Sequence, residues 1–157
     1  MSRQIDGELF TKTIHALFEE TFDKVEGYFL DRGTSLLETL APISASEASY
    51  LISGNGTTIA GHIAHVHFYI QILGDYIDGK LHEKVDWKQS WLVKNVNDAE
   101  WDSLRRQLGE DCHGLQAKLG SITDWNDENR LGGALAIIAH TAYHLGAIRQ
   151  MLRAIKR

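Results

Sequence analysis

Apolar residues recur at three- and four-residue steps along most of the chain, and no run alternates apolar with polar positions long enough to read as a strand. The pattern predicts an all-α protein. A first helix is expected from about Gly7 to Leu30, where Phe10, Ile14, Leu17, Phe18, Thr21, Val25, Tyr28 and Phe29 form one stripe, with Asp31-Arg32-Gly33 as its stop. A short helical turn from Ser35 to Leu40 must end before the single proline, Pro42, and Ser44-x-x-Glu47 spells a capping box. After the breaker Ser53-Gly54-Asn55-Gly56, a second long helix is capped by Thr57 or Thr58 and runs through Ile59, Ile63, Val66, Ile70, Leu73 and Ile77 to Gly79. The third starts at Asn97 with Glu100 as its capping partner and runs to about Leu119, where Gly120-Ser121 ends it. The fourth starts near Asp127 and continues almost to the end.

Four amphipathic helices bury their stripes together most simply as a four-helix bundle. Residues 80–96 between the second and third helices show no clean period and contain two tryptophans. They read as a long surface connection of the kind that often borders a site. The fourth helix is apolar on nearly every side, more than one bundle core uses. The excess predicts a homodimer with this helix, together with the second, in its interface. Gly132, Gly133 and Gly146 would allow close helix approach there or inside the monomer core.

Length and composition narrow the partners. At 157 residues with 43% hydrophobic residues, residues 1–157 are expected to form a single domain. The net charge is -5 and the cations are scattered, apart from Arg149, Arg153, Lys156 and Arg157, which suit the C-terminal end of a helix dipole. Nucleic acid is therefore not an expected partner. One cysteine, Cys112, makes no intrachain disulfide, and MSRQIDGELF lacks the apolar stretch of a secretory signal, so the expectation is a cytoplasmic protein. The segment from Leu131 to Leu152 is apolar enough to raise a membrane span, but its two histidines, Arg149 and three glycines speak against one.

The chemistry lies in the histidines. His140 and His144 sit one turn apart and about 40° apart around a helix axis, so both rings can reach one ion. Two imidazoles in an apolar segment each need a partner, and a divalent metal would satisfy both. A third imidazole would complete a three-ligand centre with an open position. The second helix offers His62 and His65 on one face, and spacing alone does not choose between them. His67 points about 160° away from His65 and is expected at a surface or interface, as are His15, His82 and His113.

The phrase T-I-A-G-H-I-A-H-V, followed much later by A-H-T-A-Y-H-L-G-A-I-R-Q-M-L, resembles the DinB/YfiT superfamily of small metal-binding four-helix bundles. Its members typically read S-I-x-E-L-L-x-H-L in the second helix and H-x-x-x-H-R-G-Q-I in the last. Aligning Ile59 with the family's isoleucine makes His65 the carried-over ligand beside His140 and His144, and Tyr143-His144-x-Gly146-x-Ile148 matches the second phrase. The chain departs from the family where His144-Leu145-Gly146-Ala147 replaces H-R-G-Q. His62 is an additional imidazole: a fourth ligand, a proton shuttle or base, or a neighbour.

The resemblance implies one divalent ion, zinc or nickel, with manganese also compatible. It also implies an enzyme that transfers or rearranges adducts of a low-molecular-weight thiol such as bacillithiol or mycothiol, acting on a small electrophile. A metal-dependent hydrolase with His62 as general base is the alternative from the same site. A dimeric metal-binding or stress-response module without turnover is the alternative from another class, and core histidines with no metal are the bland reading.

Overall fold

The computed structural model describes residues 6–54 and 56–156. Residues 1–5 of the N-terminal stretch, Asn55 of the breaker and Arg157 of the terminal cation set lie outside the described residues. Every helix start carries a side-chain cap. Asp6, Ser35, Ser44, Thr58, Asn97 and Asp127 each accept a hydrogen bond from the backbone N–H three residues on. The elements are α1 (Gly7–Phe22), α2 (Leu36–Leu40), α3 (Ala45–Ala48), α4 (Ile59–Ile77), a 3₁₀ turn (Trp87–Trp91), α5 (Asp98–Ser121) and α6 (Glu128–Ile155). The described residues are all helix and connection, as the periodicity predicts. The long helices α1, α4, α5 and α6 form a bundle in which α4 packs on α6 and α5, and α1 packs on α5 and α6.

The first helix is shorter than its stripe predicts. It stops at Phe22, eight residues before Leu30, and the reason is Glu20. This side chain is fully buried, and its two carboxylate oxygens accept from the N–H groups of Glu26, Tyr28, Phe29 and Leu30 at 2.6 to 3.2 Å. The chain wraps around the carboxylate instead of continuing the helix, and Tyr28 and Phe29 stay exposed. Burial pushes the Glu20 pKa up, but the N–H groups of Leu30, Phe29, Tyr28 and Gly27 outweigh it and hold the group at about 2.

α6 lies tightly against α4. A Cβ at Gly133 would sit 3.1 Å from Ile77 Cγ1, so this glycine makes room inside the monomer, whereas Gly132 and Gly146 face open space. The opposite side of α6 exposes Leu135 and Tyr143. α6 is long and apolar enough to cross a membrane by length and composition alone. Here its inner face, with Ile137, Leu145 and Ile148, is buried in the bundle core.

The connection between α4 and α5 holds a structured turn that its sequence pattern does not announce. Asp86 accepts from Lys88 N to start the 3₁₀ turn. Thr58 Oγ1 donates to the Lys94 carbonyl at 2.7 Å, and Ser49 Oγ accepts from Val96 N at 2.9 Å. The strap crosses the first turn of α4 so closely that a Cβ at Gly61 would lie 2.9 Å from the Val93 carbonyl oxygen. That crossing is open only to glycine, and it fixes the preceding 3₁₀ turn over the N-terminal half of α4.

Replacing Glu20 by Gln leaves one oxygen to serve four donors, and is expected to cost about 2–3 kcal/mol in urea-melt stability. Because the folded-state pKa is depressed, the contribution of Glu20 is complete above its ordinary value of 4.5 and is lost as pH falls toward about 2. The variant should lack that part of the acid slope. An unchanged melt at neutral pH would contradict the clamp.

Candidate metal centre

His62 and His65 stand on one face of α4, and His140 and His144 on the facing side of α6, so the most extensively packed helix pair of the bundle brings all four rings together. His65 and His144 are buried, while His62 and His140 are partly buried. The Nε2 atoms of His65 and His140 are 3.0 Å apart, and those of His140 and His144 are 3.2 Å apart. One nitrogen from each of these three rings lies within 4.8 Å of the other two, a group that could hold a metal ion. Nitrogens about 2.0–2.1 Å from a tetrahedral zinc are about 3.3 Å from one another, so the His65–His140 and His140–His144 separations suit such an ion. The donor set is chemically suited as well, since imidazole serves zinc and nickel alike.

The fourth ring meets the group from outside. His62 Nδ1 lies 2.8 Å from His144 Nδ1, the nitrogen that points away from the convergence. His65 is held similarly on its outer side, with Nδ1 2.7 Å from Ser90 Oγ. Only His140 lacks such a partner, for its Nδ1 is buried without a hydrogen bond. Stacking fixes its plane instead, on Tyr69 with ring centres 3.7 Å apart and planes 11° from parallel. Trp91 covers His65 in the same way, at 3.9 Å and 16°. Tyr143 stands edge-on to His144 and is largely exposed, and Trp87 contacts Tyr69.

Burial lowers the pKa of all four imidazoles. His144 is held at about 3 by burial first, and then by His140, His62 and His65. His140 is held at about 4 by burial and His65. His65 is lowered by burial, and His62 by burial and then His65. The rings are thus neutral near neutral pH, the state that a metal ligand requires. Burial also raises the pKa of the Tyr69 phenol, which keeps its proton.

The remaining histidines stay away from this cluster. His67 Nε2 faces Asp111 Oδ2 at 2.8 Å, His82 pairs with Asp75, His113 lies near Asp23 and His15 near Glu19. Cys112 is buried and its thiol pKa is pushed up by burial and by Asp111 and Asp23, so it is a core residue rather than a nucleophile. Leu145, which follows His144, is buried in the bundle core. Sequence reasoning missed Tyr69, Ser90 and Trp91. Tyr69 was within reach of it, being one helical turn beyond His65 on the same face. Ser90 and Trp91 sit in an aperiodic connection and carry no such signal.

The sequence model of the DinB superfamily matches residues 29–148, well over half of the chain, a span that contains all four clustered histidines and leaves α1 outside. No curated protein and no solved structure matches the chain.

Four neutral imidazoles make the metal-free protein acid-sensitive. Unfolded, each ring titrates at its ordinary 6.5; folded, His140 and His144 do so at about 4 and about 3. The unfolded chain therefore binds more protons in that window, and stability falls as pH drops from 6.5 toward 3. Urea melts of metal-free protein should show this slope, and His144→Leu should flatten it. An equal slope in wild type and variant would contradict the depressed pKa of His144.

Proposed function

The chain belongs to the DinB superfamily, and from the meeting of three neutral imidazoles between α4 and α6 we propose that it binds one divalent ion, zinc or nickel, through His65, His140 and His144. The observation that carries this reading is the convergence of the three Nε2 atoms, with separations of 3.0 and 3.2 Å along the row His65, His140, His144. Ligands without charge leave the ion its full positive charge, so a bound ion would supply Lewis-acid chemistry and favour an anionic donor at its open position.

We further propose that the donor is the thiolate of a low-molecular-weight thiol and that the protein transfers or rearranges its adduct with a small electrophile. The chain's own residues support this in two ways. Trp91, Tyr69 and Tyr143 lie against the clustered rings, with Trp87 behind Tyr69, an aromatic surface that suits an apolar electrophile. A hydrolase needs a base beside the attacking water. His62, the ring next to the three ligands, contacts the outer nitrogen of His144 and so supports a holding role over a base. The uncharged outer side of α6, with Leu135 and Tyr143 exposed, is on the same reading the surface that meets a second copy of the chain.

Purified protein should carry one zinc or nickel per chain by elemental analysis, and His65→Ala, His140→Ala and His144→Ala should each lose most of it. Full metal content in all three variants would sink the ligand assignment. A model electrophile should turn over only when a low-molecular-weight thiol is supplied. Thiol-independent ester or amide cleavage would replace the transferase reading with the hydrolase. Metal binding with no turnover of either kind would leave a binding module. Sedimentation should show a dimer that Leu135→Glu dissociates, and a wild-type monomer would contradict the α6 interface.

A further inference from the structure

His65 and His144 each turn one nitrogen toward the cluster and hold the other against a neighbour, and the direction of every hydrogen bond in the row follows from one end. The Trp87 carbonyl can only accept, so the Ser90 hydroxyl, 2.7 Å from it, donates to it. Ser90 Oγ then accepts from His65 Nδ1 at 2.7 Å, which puts the His65 proton on Nδ1 and a bare lone pair on Nε2. His140 Nε2 lies 3.0 Å from that lone pair, so a neutral His140 carries its proton on Nε2 and donates inward. Its Nδ1, buried and unpartnered, is then an unused acceptor rather than a stranded donor, the less costly of the two. His144 Nε2, 3.2 Å from the same N–H, accepts, and His144 therefore holds its proton on Nδ1 and donates it to His62 Nδ1 at 2.8 Å.

We propose that Ser90 and His62 are positioning residues that fix His65 and His144 with their Nε2 lone pairs turned into the cluster before any metal arrives, leaving His140 as the one ring whose proton must move. This rests on His65, His140 and His144 being the ligand set. Outer hydrogen bonds of this kind set the tautomer and the ring orientation of ligating histidines. The two holders come from different places, His62 from the preceding turn of α4 and Ser90 from the 3₁₀ turn of the connection. The strap that crosses α4 at Gly61 is thereby part of the centre and not merely a cover. His140 has its plane set by the Tyr69 face and has no outer hydrogen bond, so moving its proton from Nε2 to Nδ1 breaks no outer contact, but it gives up the inward bond to His65 and leaves a buried donor unpartnered, a cost that the bond to a metal would have to offset.

Long-range proton–nitrogen NMR correlations on metal-free protein at about pH 8, above the ordinary imidazole range, should show His65 and His144 protonated on Nδ1 and His140 on Nε2. Nε2-protonated His65 and His144 would overturn the assignment. In chelator competition with zinc, Ser90→Ala and His62→Ala should each bind about 10- to 100-fold more weakly than wild type. His62→Asn should recover most of the loss, because its Oδ1 can accept where the imidazole Nδ1 did, and a merely space-filling role for His62 would not be rescued in this way. His67→Ala, with its ring on Asp111, should bind zinc as wild type does. Wild-type zinc affinity in both Ser90→Ala and His62→Ala would overturn the positioning role. A wild-type protein that takes no zinc or nickel would defeat the ligand reading, while the tautomer pattern of the metal-free rings would still decide this one. Should His62→Ala fail to fold, Ser90→Ala, His62→Asn and the wild-type spectrum carry the test.

Discussion

Gathering four imidazoles, two of them buried and two partly buried, in the seam between α4 and α6 is the constraint around which the rest of this molecule is arranged. A neutral imidazole has one donor and one acceptor, and each must be matched once water is gone. Here His65, His140 and His144 largely match one another, His62 meets the outer nitrogen of His144, Ser90 meets that of His65, and the outer nitrogen of His140 is left as an unused lone pair. Such a row tolerates little error in helix position. Gly133 lets α6 approach Ile77 on α4, and the apolar contacts of Ile59, Ile63, Ile137 and Ile148 hold the pair in place. Packing and polar matching are therefore one problem, and the interior positions that would otherwise be leucine or isoleucine have been exchanged for a polar row that costs acid stability.

Two other segments are fixed by the same logic of a buried polar group gathering backbone. Glu20 collects N–H groups from the loop after α1 and ends that helix early, because a desolvated carboxylate gains more from four donors than the backbone gains from another two turns of helix. The strap before α5 is tied at Thr58 and Ser49, and its 3₁₀ turn delivers Ser90 and Trp91 to His65. In both cases an irregular segment is held in place by hydrogen bonds to a side chain in or capping a helix, not by its own periodicity.

The cluster itself combines neutral imidazoles with aromatic walls. Neutral rings would do nothing to offset the charge of a bound ion, which on the proposed reading would stay a strong attractor for an anionic donor. The stacked Trp91 and Tyr69 lower the local dielectric and strengthen that attraction.

Much of this was readable along the chain, because the signals were local. Caps at Ser44, Thr58, Asn97 and Asp127 and the three- and four-residue apolar steps placed the helix starts, since both depend on residues within one or two turns. The spacing of His140 and His144 put two rings on one face, and the family-like phrase around Ile59 selected His65 as their companion. Spacing could not say that His62 would lie behind His144, that Ser90 would reach His65 from 25 residues away, or that Glu20 would halt α1 with the backbone of residues 26–30. Those contacts join segments whose separation along the chain carries no period. They exist only once the bundle has excluded water, and the demand of each buried polar atom for a partner then decides which distant residue supplies it.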